Sequence, residues 1–172
     1  MKLMQHIVIV GLPGVGKTSI GKLLSSKLQN SCIDIDEQIE SRQKKSISTL
    51  IKKSEPNFRQ IEKNIFINII NEKKPRIISV GGGLVMDADN RKAIKDKSLC
   101  IYLICSLEEI AKRLDTSERP LLYNTNKNLS LKKLFDLRSR FYEEVANIKV
   151  DISNLDLNAS LKKVYKGIKC VK

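Results

Sequence analysis

The stretch Ile7-Val8-Ile9-Val10-Gly11-Leu12-Pro13-Gly14-Val15-Gly16-Lys17-Thr18 decides the fold. Four apolar residues run into a glycine-rich turn. The turn runs into the helical spacing Ile20, Leu23, Leu24, Leu28. Strand, loop and helix in that order satisfy the pattern G-x-x-x-x-G-K-[ST]. The glycines at 11, 14 and 16 let backbone N–H groups curl into an anion nest. The new helix adds its N-terminal dipole to that nest. Lys17 is long enough to reach terminal phosphates, and the Thr18 hydroxyl suits Mg²⁺. A nucleoside-triphosphate site is the expectation.

Working outward, apolar runs alternate with helical patterns. This argues for a parallel α/β sheet flanked by helices. Strands are expected at Ile7–Val10, Cys32–Asp34, Ile77–Val80, Leu99–Ile104 and Ile148–Ile152. Helices are expected near 17–28, 36–44, 47–53, 57–72, 89–96, 107–114, 131–146 and 158–168. The chain has 172 residues, which suits one domain. No apolar run reaches the length of a membrane span. The start, MKLMQHIVIVGLPG, reads as the first strand rather than a leader, because Gln5 and His6 interrupt it. A soluble, cytoplasmic protein is therefore expected. Residues 115–128 are rich in Thr, Ser and Asn and lack periodicity, as a lid loop would.

The net charge is +13, but the lysines are spread along the chain instead of clustering with aromatics. That distribution reads as a solvated surface that draws in anionic substrates, not as a nucleic-acid interface. Cys32, Cys100, Cys105 and Cys170 form no C-x-x-C pair, and reduced thiols are expected.

Chemistry-bearing residues recur beyond the phosphate loop. Asp34 and Asp36 lie two apart at the end of the second strand. On a continuing strand both carboxylates would share a side, one serving Mg²⁺ and the other a substrate hydroxyl. The other reading of the pair is a helix N-cap followed by a first-turn acid. The pattern Phe58, Ile61, Ile65, Phe66, Ile69 puts Arg59 and Glu62 on an apolar helix side. There Glu62 can orient Arg59 to grip an anion. Gly81-Gly82-Gly83 closes the third strand and allows close approach of backbone to a ligand. Arg119, in Glu118-Arg119-Pro120-Leu121-Leu122, is placed to close over phosphates. Arg138 falls in the apolar stripe Leu131, Leu134, Phe141, Val145, whereas Arg140 falls off it. An inward arginine wants an anion.

Taken together, GLPGVGKT, Asp34-x-Asp36, Phe58-Arg59-x-x-Glu62, Gly81-Gly82-Gly83, Arg119-Pro120-Leu121-Leu122 and Arg138-x-x-x-Tyr142 resemble the shikimate kinases in order and rough spacing. The resemblance spans nearly the whole chain. It implies one kinase domain, residues 1–172, with a nucleoside-monophosphate-kinase-like fold around a five-stranded parallel sheet. It implies a lid at about 115–128 and a substrate-binding helical region at about 36–62. The implied reaction moves the ATP γ-phosphate to the 3-hydroxyl of shikimate, with Mg²⁺ as cofactor. By the same resemblance, Gly14, Val15, Gly16, Lys17, Thr18 and Ser19 hold ATP, with Arg119 from the lid and Asn154 near adenine. Thr18 and Asp34 serve the metal. Lys17, Asp36 and Arg119 are the expected catalytic residues. Shikimate is expected on Asp36, Arg59, Gly81, Gly82, Gly83 and Arg138. A monomer without nucleic-acid or membrane partners is implied. Ile35 stands where such sequences often carry Ser or Thr, and it should point away from the site. A kinase of another small hydroxy acid such as gluconate, and a nucleotide- or nucleic-acid-binding protein without catalysis, are the alternative readings.

Overall fold

The computed structural model describes residues 3–114 and 127–171. Five parallel strands make one sheet in the order β2-β3-β1-β4-β5. They are β1 (His6–Val10), β2 (Cys32–Asp34), β3 (Ile77–Ser79), β4 (Ser98–Ile104) and β5 (Ile148–Asp151). Among the described residues eight helices pack around them: α1 (Lys17–Leu28), α2 (Ile35–Gln43), α3 (Ile47–Lys53), α4 (Glu55–Ile70), α5 (Ala88–Lys97), α6 (Leu107–Arg113), α7 (Lys127–Val145) and α8 (Leu157–Cys170). A short 3-10 turn, Leu84–Met86, leads into α5.

The burial pattern follows from strand position. Every residue of β1 is buried, and β4 is buried up to its last residue. Strands covered on both faces need continuous apolar runs, which these segments supply. At the sheet edge β5 alternates buried and exposed residues. In register, Val8 of β1 pairs with Ile78 on one side and Cys100 on the other. The carboxyl ends of β1, β2 and β3 therefore lie side by side, and open α/β sheets bind ligands at that edge.

One expectation is corrected here. Asp34 and Asp36 do not share a strand. Strand β2 stops at Asp34, whose Oδ1 accepts the N–H groups of Asp36 (2.9 Å) and Glu37 (3.3 Å). Asp34 is thus the N-cap of α2, and Asp36 sits in the first helical turn. The N-cap bonds satisfy donors that a helix start leaves open, and they end the strand. Ile35 is fully buried, as expected of a residue pointing away from the site.

Caps set several other boundaries. Ser54 caps α4 through Asn57 N–H, and Pro56 sits in the first turn. Asp87 caps α5, accepting from Asp89 N–H (2.8 Å) and Asn90 N–H (3.1 Å). It also accepts from Lys63 Nζ of α4 at 3.0 Å. Asp87→Ala should cost about 1–2 kcal/mol of stability, read as a lower urea midpoint at unchanged slope. His6 is buried and structural. Arg76 N–H donates to its Nδ1 (3.2 Å), and its Nε2 lies 3.0 Å from the Glu72 carbonyl, which selects the Nε2–H tautomer. All four cysteines are free thiols.

Candidate active site

The phosphate loop is fixed by its backbone. Gly11 has φ 146°, and a β carbon there would lie 2.6 Å from the Leu103 carbonyl oxygen, so only glycine fits. Gly16 opens α1 from the left-handed region at φ 104°. Val15 is buried beneath the loop, while Ser19 is exposed on the first turn of α1. Gly14 packs against Ile110 and Leu114, so α6 buttresses the loop from one side. Lys17 is buried and folds back over its own loop. Its Nζ donates to the carbonyls of Gly11 (3.0 Å) and Leu12 (2.8 Å).

Across the loop, Thr18 Oγ1 donates to Asp34 Oδ2 at 2.6 Å. Asp34 therefore uses one oxygen for the α2 cap and presents the other beside the nest. A hydroxyl and a carboxylate oxygen at the start of α1 form a hard donor pair. They suit a small divalent ion that keeps waters and shares phosphate oxygens.

The glycine triplet sits against both the loop and the charged helix α4. A β carbon at Gly82 would lie 2.9 Å from Pro13 Cδ. At Gly81 it would meet Glu62 Oε1 at 2.6 Å and Asp36 Oδ1 at 2.9 Å. At Gly83 it would meet both terminal nitrogens of Arg59 at 2.6 Å. The triplet is thus the floor onto which Asp36, Glu62 and Arg59 converge.

Arg59 bridges Glu62 Oε2 (2.8 Å) and Glu55 Oε1 (3.1 Å). Its guanidinium also lies 4.9 Å from the Phe58 ring centre. Burial works to lower its pKa, but Glu62 and then Glu55 outweigh burial and hold it above the ordinary value. Glu62 is only 1% exposed. Burial raises its pKa; Arg59 opposes that shift and Asp36 adds to it.

Arg138 is 5% exposed, whereas Arg140 is exposed and stacks over Phe141. The stripe reading of α7 thus selects the inward-facing arginine. Burial first, and then the charge of Arg59, hold the Arg138 guanidinium below its ordinary value. Two guanidinium groups that disfavour each other across a pocket create a demand for an anion, and a carboxylate relieves both.

The structure brings together Lys17, Thr18, Asp34, Asp36, Arg59, the glycine triplet and Arg138. Asn154 stands apart, in the turn after β5, with φ 57°. Its N–H donates to Glu109 Oε1 of α6 at 2.7 Å, so the turn is tied to the helix that buttresses Gly14. Arg119 lies outside the described residues. Tyr142 is a participant that the residue reading passed over. Its Oη donates to the Gly82 carbonyl at 2.5 Å, joining α7 to the triplet, and it also hydrogen-bonds Arg138. The available signal was its position four residues after Arg138, on the same helix face.

Similarity to known proteins gives the family. The family model for shikimate kinase matches residues 13–169. The chain belongs to the shikimate kinase family. A shikimate kinase of Bacillus cereus (strain G9842) is 38% identical over 153 residues, covering 88% of this chain and 90% of the relative. One from Thermodesulfovibrio yellowstonii is 36% identical over 165 residues, covering 95% and 94%. Among solved structures, shikimate kinase from Acinetobacter baumannii in complex with shikimate matches with a TM-score of 0.94. It is 26% identical, over 99% of this chain and 96% of its own. A gluconokinase from Sinorhizobium meliloti shares the fold at 14% identity and a TM-score of 0.62. Like its family, this shikimate kinase family member is an ATP-dependent kinase. Among the described residues no helix is long and apolar enough to cross a membrane.

Proposed function

We propose that the chain transfers the γ-phosphoryl group of ATP to the 3-hydroxyl of shikimate. The observation that carries this reading is the convergence of Arg59, Arg138 and Asp36 on the glycine floor beside the phosphate loop. One buried guanidinium, Arg138, and one half-buried, Arg59, match one small carboxylate, and a carboxylate near the loop matches a hydroxyl acceptor. A nucleotide acceptor would need an additional base pocket. Gluconate also carries a carboxylate and hydroxyls, but likeness to the gluconokinase extends only to the fold.

In this reading the loop N–H groups and Lys17 bind the β- and γ-phosphates. Asp36 orients the attacking hydroxyl and takes its proton as the oxygen–phosphorus bond forms. Arg59 and Arg138 hold the carboxylate, which fixes the ring so that one hydroxyl faces the phosphate. Thr18 and Asp34 are the residues that would hold Mg²⁺, whose charge would offset that of the phosphates. Val15 and Ser19 complete the loop contacts to ATP and the turn at Asn154 borders adenine; the phosphate contact expected of Arg119 and the lid expected at about 115–128 fall largely outside the described residues. Residues 36–62 form the shikimate-side wall of a single kinase domain.

We further read the chain as a cytoplasmic monomer that binds no nucleic acid or membrane. Its lysines are distributed in surface ion pairs such as Lys22–Glu37, Lys95–Glu144 and Lys149–Glu143, which supports a solvated basic surface.

The direct test is ADP release in a coupled assay with ATP and Mg²⁺, with and without shikimate. Strong dependence on shikimate supports the reading. Stimulation by gluconate alone would reassign the pocket. Release by no acceptor, in folded ATP-binding protein, would leave a binding protein without catalysis. A second expected result is local to the floor. Gly83 has φ −97°, so alanine is allowed by the backbone. Its added methyl would displace the Arg59 guanidinium, and Gly83→Ala should raise the shikimate KM about tenfold at near-native kcat.

A further inference from the structure

Asn90 lies in the first turn of α5 and is 2% exposed. Its Nδ2 donates to the Leu84 carbonyl at 3.1 Å. Only the NH₂ end of the amide can make that bond, so the orientation of the side chain is fixed. Asn90 Oδ1 therefore faces away from Leu84, and it has no hydrogen-bond partner among the described residues. Arg138 Nε is likewise buried and without a hydrogen-bond partner among the described residues. Asn90 and Arg138 both line one cavity of about 320 Å³, walled further by Arg59, Lys63, Glu62 and Leu137. One of the two atoms is an acceptor and the other a donor. Buried polar atoms are paired in folded proteins, by ordered water where the site is polar and roomy enough.

We propose that one ordered water accepts from Arg138 Nε and donates to Asn90 Oδ1, which makes Asn90 a positioning residue for Arg138. The inference rests on Arg138 as a grip for the substrate carboxylate. Its consequence is directional. A guanidinium presents its donors in a rigid fork. With the Nε edge engaged by water, the terminal Nη pair is left to face the carboxylate. Asn90 is a firm anchor for this water, because Asp87 holds its backbone and Leu84 its amide. Tyr142 steadies Arg138 from its own helix, while Arg59 repels it. The water fixes the remaining freedom of the guanidinium.

The test is a double-mutant cycle on the full chain, with shikimate Kd from calorimetry and kcat and KM from the coupled assay. Asn90→Leu should raise the shikimate Kd about tenfold, with kcat and the ATP KM within about twofold. Arg138→Lys has no Nε. In that background Asn90→Leu should change the Kd by less than about twofold, since its route is already gone. A full tenfold effect in both backgrounds would assign Asn90 a structural role and overturn the proposal. So would an unchanged Kd in Asn90→Leu alone. If Asn90→Leu does not fold, Asn90→Ser takes its place in the cycle. A high-resolution crystal structure gives the second readout. A water within about 3.2 Å of both atoms supports the bridge, and clear density without one overturns it. Should Arg138→Lys leave the shikimate Kd unchanged, the carboxylate grip fails, and the crystal water still reads the bridge separately.

Discussion

Lys17→Ala will lower kcat by about a thousandfold while leaving the shikimate Kd within about threefold. The ammonium is buried at the start of α1, over the loop whose carbonyls it bonds at 2.8 and 3.0 Å. Its charge is thus held in a site poor in water, beside the N–H groups that would bind phosphate. Charge redistributes over the transferring phosphoryl group in the transition state, and a fixed cation there acts without reorganisation. Alanine removes that cation and two loop hydrogen bonds. The loop still has Gly11 locked beneath Leu103 and Gly14 braced by α6, so the fold should hold. Lys17→Arg should not rescue the rate, because a planar guanidinium does not replace a point charge in a closed nest. The coupled assay reads kcat, calorimetry reads shikimate, and thermal unfolding checks the fold. Turnover within tenfold of native would refute the phosphate role.

Much of the fold is legible in the sequence, for physical reasons that differ by element. Strands β1 and β4 must be apolar on both faces, and Ile7–Val10 and Leu99–Ile104 are uninterrupted runs. Helix α7 is legible because Leu131, Leu134, Arg138 and Val145 recur at helical spacing, which separates inward Arg138 from outward Arg140. The aspartate pair is where periodicity misleads. Alternation argues for a longer strand, but a short carboxylate at a strand end competes for the next N–H groups and starts a helix. The cap and the functional readings then prove compatible, since Asp34 caps with one oxygen and meets Thr18 with the other. Contacts between distant segments are not legible from local pattern. Tyr142 reaches the Gly82 carbonyl across 60 residues, Pro13 packs on Gly82, and the orphan oxygen of Asn90 appears only once α5 and α7 share a cavity. Sequence spacing carries no signal for any of these.

Arg59→Ala should weaken shikimate binding by about 2–5 kcal/mol, or roughly thirtyfold to several thousandfold, with the ATP Kd within about threefold. Two effects combine. In the proposed site the substrate carboxylate would lose one of two guanidinium partners, and Glu62 loses its counter-ion. Glu62 is almost fully enclosed, and its pKa is already raised by burial, with Arg59 opposing the rise. Without Arg59 the same carboxyl faces burial and the charge of Asp36, with only the weaker pull of Arg138 opposing them, so its pKa rises further. The sign of the pH effect follows. A carboxyl whose folded-state pKa exceeds its unfolded value binds protons preferentially when folded. Stability is then lost as pH rises above the unfolded value, until the folded pKa is passed. Relative to the native protein, Arg59→Ala should therefore be least stable at alkaline pH and recover toward acid pH. Glu62→Gln in the same background removes the stranded charge. It should flatten that pH dependence without restoring shikimate affinity, because the amide brings back no cation. Urea denaturation between pH 5 and 8 and calorimetry with shikimate separate the two effects. An unchanged shikimate Kd in Arg59→Ala would remove Arg59 from the substrate site. A recovered Kd in the double variant would assign the whole loss to the stranded Glu62.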